Sequence, residues 1–361
     1  MFAPYMRWAK TRPEPAFDLA GSNLLGCTLD DLPGARDVLE LNGLNPDGWP
    51  PLVEAIAARY SVTADRVTTA PGASGANFLA MAALVRPGDE ALVERPAYDP
   101  LLGSLRLLGA RIARFDRPWS DRWEVDVQRV RDALSPATRL VVLSSPHNPS
   151  GALVSDAALD GIARLAEERG FHVLVDEVYL DGVYHGRPRP AALRSDRCLS
   201  TSSLTKAFGL SGLRAGWIVA APDVIAAACR VRDVVDGVGS FPSDRLALLA
   251  FQRLASLEAR ARAILEPNLA LLDAFIRGRR ELEWVRPAGG NVAFPRLAGV
   301  EDTTEFARRL LAEHSTAVVP GSFFEAPAHF RIAFGCARPT LERGLERLGL
   351  GLDRLPAMPA V

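Results

Sequence analysis

The order of apolar and polar positions divides the chain into two regimes. From about residue 65 to 235, short apolar runs alternate with longer amphipathic stretches, as repeated strand and helix units do. The runs predict strands at 66–70, 90–94, 111–115, 139–144, 172–176, 198–203 and 214–220. Helices are expected at 74–85, 125–134 and 155–168, the last opened by the capping Ser155 and closed before Gly170. Seven strands with helices between them make a large three-layer αβα domain around a mostly parallel sheet, an α/β fold.

Outside that region the pattern changes. The first forty-odd residues are rich in Pro, Gly and Asp with weak periodicity, and read as an arm plus a connecting loop. Residues 243–279 read as long helices with a kink or break at Pro267. Strands at 282–286, 292–296, 317–319 and 330–334 around a helix at 303–313 predict a smaller α+β domain. The expected organisation is an arm at 1–45 that joins the small domain, a large domain at 46–260 and a small domain at 261–361.

Composition narrows the class. A 361-residue chain with 48% hydrophobic and 24% charged residues has globular proportions. Its formal charge of −1 gives no reason to expect nucleic acid or an anionic membrane as a partner. No apolar run has the length of a spanning helix and the start lacks a signal-peptide pattern, so a cytoplasmic protein is expected. Cys27, Cys198, Cys229 and Cys336 lie far apart, outside metal or redox spacing, and read as reduced, mostly buried thiols. The five histidines form no ligand pair, so no metal is expected.

All but two of the 42 basic positions are arginine. A bias toward arginine codons replaces lysine wherever only positive charge is needed, so the surviving lysines, Lys10 and Lys206, invite another explanation. A lysine amine can be tuned into a nucleophile or base, whereas a guanidinium stays charged. Lys10 sits in the terminal segment, where a solvated charge suffices. Lys206 is the candidate for amine chemistry.

In an open α/β sheet, ligands bind beyond the carboxyl ends of the strands. The first predicted strand leads into Pro71-Gly72-Ala73-Ser74-Gly75-Ala76, a small-residue turn into a helix whose free N–H groups suit a phosphate. The fourth leads into Ser145-Pro146-His147-Asn148-Pro149-Ser150-Gly151, a rigid turn that presents the Asn148 amide. The fifth ends in Asp176-Glu177-Val178-Tyr179, leaving a desolvated carboxylate that needs a cation from a ligand. A Walker-B reading of that strand fails, because no Gly-x-x-x-x-Gly-Lys-Ser/Thr occurs. The sixth leads into Ser202-Ser203-Leu204-Thr205-Lys206, with Arg214 eight residues beyond the lysine.

Ser203-x-x-Lys206 followed by Arg214, Asp176-x-x-Tyr179 and Asn148-Pro149-Ser150-Gly151, in that register, resemble the fold-type I, pyridoxal-phosphate-dependent aminotransferases of the class I/II family. The resemblance runs from about residue 17 to 350. It implies a Schiff-base, ping-pong transfer of an amino group between an amino acid and a 2-oxo acid. Lys206 would bond pyridoxal 5'-phosphate and move the proton, Asp176 would pair with the ring nitrogen, and Tyr179 and Asn148 would bond the ring oxygen.

By the same resemblance, Ala73 and Ser74 N–H, the Ser203 hydroxyl and Arg214 would hold the phosphate, and Tyr98 would stack on the ring. Arg331, within Phe330-Arg331-Ile332-Ala333-Phe334, would clamp the substrate carboxylate beside Asn148. A homodimer is implied, although Leu41-Asn42-Gly43-Leu44-Asn45-Pro46-Asp47 lacks the family's tyrosine that reaches the neighbouring subunit's phosphate. Another pyridoxal-phosphate reaction on this scaffold (lyase, cyclase or decarboxylase) is the nearest alternative, and a non-catalytic regulator that senses the cofactor a more distant one.

Overall fold

The computed structural model describes residues 3–355. In chain order the first half contains α1 (Pro4–Thr11), β1 (Phe17–Asp18), α2 (Pro50–Tyr60), β2 (Val67–Pro71), α3 (Gly72–Leu84), β3 (Glu90–Arg95), α4 (Asp99–Leu107), β4 (Arg111–Asp116), α5 (Val127–Ala133) and β5 (Thr138–Ser144). Next come α6 (Asp156–Arg169), β6 (His172–Asp176), β7 (Cys198–Ser203), β8 (Ala215–Val219), α7 (Pro222–Val235), α8 (Phe241–Gln252) and α9 (Leu254–Arg277). The chain ends with β9 (Leu282–Glu283), β10 (Val292–Ala293), β11 (Arg296–Leu297), α10 (Thr304–His314), β12 (Thr316–Ala317), β13 (Val319–Pro320), β14 (Phe330–Ala333) and α11 (Arg338–Leu352).

The seven predicted strands form one sheet in the order β2-β8-β7-β6-β5-β3-β4. Neighbours run parallel except at β8, which is antiparallel to both β2 and β7. Two reversals restore direction, so β2 points the same way as β5, β6 and β7. One sheet edge therefore carries the ends of β2, β5, β6 and β7 together with the start of β8.

The central strands β3, β5 and β6 are apolar on both faces because both are covered. Val142, Leu174, Leu199 and Ile218 point toward Leu79, Leu101 and Val224 of α3, α4 and α7. Val141, Val173 and Val175, one residue out of phase, meet Val130 of α5 and Ile162 and Leu165 of α6. Leu174 is fully buried, and truncation of such a residue to alanine costs about 2–5 kcal/mol. Helix α6 shows why the local reading of its ends works: the Ser155 side chain accepts from Ala158 N–H, and Gly170 closes the helix at φ 79°.

A second core joins Leu265, Leu269 and Leu272 of α9 to Leu310, Ile332, Leu341 and Leu345, with Leu19 and Leu24 from the N-terminal segment. Here three expectations are corrected. Pro4–Thr11 is a helix, with Pro4 in its first turn, where a missing N–H costs nothing. Of the kink or break expected at Pro267, the break does not occur, because helix α9 runs on through it. The strands expected at 292–296 and 317–319 are each split, into β10 and β11 and into β12 and β13, because the halves pair with different partners. The four thiols are free, with Cys198 and Cys229 buried and Cys27 and Cys336 partly so.

Candidate active site

At the shared sheet edge lies a cavity of about 300 Å³. Its walls include Ala73, Ser74, Tyr98, Asn148, Asp176, Tyr179, Ser203, Lys206 and Arg214. The topology brings together nine of the ten residues singled out from the sequence. Arg331 is set behind the wall.

One end is built for an anion. Helix α3 begins at Gly72, so its first N–H groups, including Ala73 and Ser74, have no intrahelical acceptor. Arg214 lies across this end, and Nη2 donates to Pro71 O at 3.2 Å. Gly72, at φ 75°, leaves no room for a side chain, since a Cβ would strike the Arg214 guanidinium. Ser203 is buried beside it. Thr205, which sequence reasoning missed, lines the same cavity with a buried hydroxyl that has no hydrogen-bond partner. An orphaned hydroxyl, open helix N–H groups and a guanidinium fit the phosphate of pyridoxal phosphate.

The opposite requirement is met at the end of β6. Asp176 is buried, and its oxygens accept from Asn77 Nδ2 at 2.8 Å and Val178 N–H at 3.1 Å. Thr201 Oγ1 in turn donates to Asn77 Oδ1 at 2.5 Å, which fixes the amide orientation. Burial pushes the Asp176 carboxyl up, and Asn77, Val178 and Lys206 oppose that shift. No ion pair reaches Asp176 among the described residues, so it is free to meet a ring N–H.

Asn148 is held by a buried network. Glu94 Oε1 accepts from Ser144 N–H at 2.7 Å and Ser144 Oγ at 2.6 Å, while Arg117 Nη1 donates to Glu94 Oε2 at 2.6 Å. Ser144 Oγ accepts from Asn148 N–H at 3.2 Å. Burial and the Arg117 charge hold His147 well below its ordinary pKa, so the ring is neutral. Its Nε2 donates to Pro96 O at 3.0 Å, which leaves Nδ1 to accept from Ser150 Oγ at 2.7 Å.

Arg331 is fully buried. Nη1 donates to Asn148 Oδ1 at 2.9 Å, and Nη2 donates to Tyr5 Oη at 2.6 Å and Ala20 O at 3.0 Å. With its oxygen so used, the Asn148 amide keeps its N–H₂ for the cavity. The guanidinium lies between the Tyr5 and Phe324 rings, 5.1 Å from each centroid. Tyr98 faces Tyr5 edge-on at 5.9 Å, and its hydroxyl meets Met6 Sδ at 3.6 Å. Helix α1, absent from the sequence reading, thus covers the carboxylate-binding candidate.

Lys206 stands half-buried at the cavity wall. Burial, reinforced by Arg331 and Arg214 and opposed by Asp176, pushes the amine down to about 7. Tyr179, whose hydroxyl donates to Ser22 O at 3.1 Å, is held above its ordinary pKa by burial. Asn45, in the segment without the tyrosine, is committed within its own chain, with Nδ2 donating to Asp244 Oδ2 at 2.7 Å.

Residues 39–348 match the family described as Aminotransferase class I and II. A capreomycidine synthase of Streptomyces vinaceus is 36% identical over 95% of this chain and 92% of its own length. A probable N-succinyldiaminopimelate aminotransferase of Mycobacterium tuberculosis is 32% identical over 78% of this chain and 74% of its own. Among solved structures, a pyridoxal-phosphate-dependent aminotransferase from Streptococcus suis superposes with a TM-score of 0.93 at 28% identity, covering 99% of this chain and 100% of that one.

Proposed function

The chain belongs to the class I and II aminotransferase family, and we infer from that membership a pyridoxal-phosphate-dependent enzyme that moves an amino group between an amino acid and a 2-oxo acid. The observation that carries the reading is Lys206, an amine with a depressed pKa that lines, with Asp176, a cavity whose other end suits a phosphate. When bound, pyridoxal phosphate supplies an aldehyde that condenses with amines and a ring that accepts an electron pair.

This chain's residues do the rest. Ala73, Ser74, Ser203, Thr205 and Arg214 would hold the phosphate, Asp176 would keep a proton on the ring nitrogen, and Tyr98 would cover the ring. The Asn148 amide would donate to the ring oxygen, and Tyr179 would join it once its hydroxyl proton leaves Ser22 O. As a neutral amine, Lys206 takes a proton at Nζ and returns it at a different carbon. Arg331 would pair with the substrate carboxylate through Nη2 once the Tyr5 hydroxyl gives way, because both Nη2 protons are otherwise engaged.

The working unit is a homodimer made of an arm at 1–45, a large domain at 46–260 and a small domain at 261–361, and it operates in the cytoplasm. Supporting the dimer, Leu41, Leu44 and Val234 are 77%, 88% and 87% exposed, on neighbouring segments joined by the Asn45 contact to Gly239. Supporting the division, α9 packs Leu257 on the large-domain core and Ala261 onward on the small one. No helix among the described residues is long and apolar enough to cross a membrane.

A second reading has one specific observation behind it: the relative at 36% identity is named a synthase. Addition of an amino acid and then a 2-oxo acid separates the two. A transaminase converts its cofactor to the amine form and back, whereas a lyase or cyclase releases product without a second acceptor.

A further inference from the structure

The Lys206 amine rests on the N-terminal segment. Nζ donates to Ser22 Oγ and to Asn23 Oδ1, each at 2.7 Å, across 184 and 183 residues of sequence. That segment is fixed against the lysine's own backbone. Leu24 N–H donates to Lys206 O at 3.3 Å, Asn291 Nδ2 donates to the same oxygen at 3.4 Å, and Leu25 N–H donates to Gly335 O at 2.6 Å. The carbonyl of Ser22 accepts from Tyr179, so one short segment ties together the amine and a hydroxyl of the site.

We propose that Ser22 and Asn23 form the seat that receives the Lys206 amine whenever it is free of the cofactor, acting as positioning residues for its proton transfers. The proposal rests on the reading of Lys206 as the cofactor-bonding lysine. Taking up one proton turns the neutral amine into an ammonium with three N–H donors, and delivering that proton restores the lone pair. Two uncharged acceptors hold the nitrogen in place in both forms and favour the ammonium, which has more donors to offer. The charged groups facing the amine are Arg331 from β14 and Arg214 before β8, which disfavour the ammonium, and Asp176 from β6, which favours it. Tyr179 and Tyr98 also face this space and are held neutral by burial.

The rarity of lysine gives a direct test. The full chain, freed of cofactor, is pulse-labelled with acetic anhydride between about pH 5 and 10, and the peptides carrying Lys206 and the exposed Lys10 are quantified by mass spectrometry. In the native sequence, labelling of Lys206 should have its midpoint near pH 7. Combining Ser22→Ala with Asn23→Leu should lower that midpoint by roughly one unit, a tenfold weaker hold on the proton, while Lys10 stays where it was. Asn23→Asp, nearly the same shape, should raise it by a similar amount, and Ser22→Thr should restore the native value.

The Ala/Leu and Asp variants loaded with pyridoxal phosphate should keep the cofactor's absorption band and lose kcat with little change in KM, while Ser22→Thr keeps the native kcat. A normal band with an unmoved midpoint in the Ala/Leu and Asp variants overturns the seat alone. Absence of the band in the native sequence overturns the reading beneath it.

Discussion

Replacing Lys206 by methionine should stabilise the cofactor-free chain, and the gain should disappear as pH rises. The ordinary lysine value of 10.5 falls to about 7 in the folded chain, a difference of roughly 3.5 units, equivalent to at most about 5 kcal/mol. Water in the open cavity screens part of this, so about 2–4 kcal/mol is expected near pH 7. Between about pH 7 and 10.5 the unfolded chain binds the proton more tightly than the native one, so raising the pH favours folding, by about 1.4 kcal/mol per unit at the steepest point.

Lys206→Met keeps the apolar stem and cannot titrate. Its lost donors to Ser22 and Asn23 add an offset that does not vary with pH. Urea unfolding of both proteins between about pH 7 and 10.5 measures the gap. The native sequence should gain on the variant steadily until the gap is no more than that offset. Parallel stability profiles would refute a depressed Lys206.

Arg331→Lys removes the planar fork, so KM for the amino donor should rise by about tenfold or more while the cofactor dissociation constant holds; an unchanged KM removes Arg331 as the clamp. Thr205→Val deletes the orphaned hydroxyl and should weaken cofactor binding about tenfold, measured by titration of the absorption band. Glu94→Ala leaves Arg117 buried without its partner and should cost about 3–5 kcal/mol in urea unfolding; a loss under 1 kcal/mol would show the network around Asn148 to be dispensable.

The centre of the sheet was legible because β3, β5 and β6 are short Val- and Leu-containing runs that end in polar residues at the same edge. His172–Asp176 shows this, with three apolar residues followed at once by the carboxylate. Lys206 was legible through the scarcity of lysine. What the chain hides is contact between distant segments. Asn77 reads as a polar residue in a mostly apolar helix and Thr201 as one of four in its strand, and only folding sets them in line behind Asp176. Ser22 and Asn23 carry no local pattern pointing to an amine 184 and 183 residues away.

Helix α1 is eight residues with a proline at its start, too short for periodicity to reveal, yet its Tyr5 seals Arg331. In the C-terminal region, two-residue strands such as β10 and β11 exist because each finds a different partner, which a continuous apolar run does not disclose.

The most direct test of the account is borohydride reduction of the chain loaded with pyridoxal phosphate, followed by peptide mass analysis. With two lysines in the sequence, the cofactor's mass should appear on the peptide that carries Lys206, and Lys206→Ala should abolish it. Labelling of Lys10 in its place, or of neither lysine, would contradict the account.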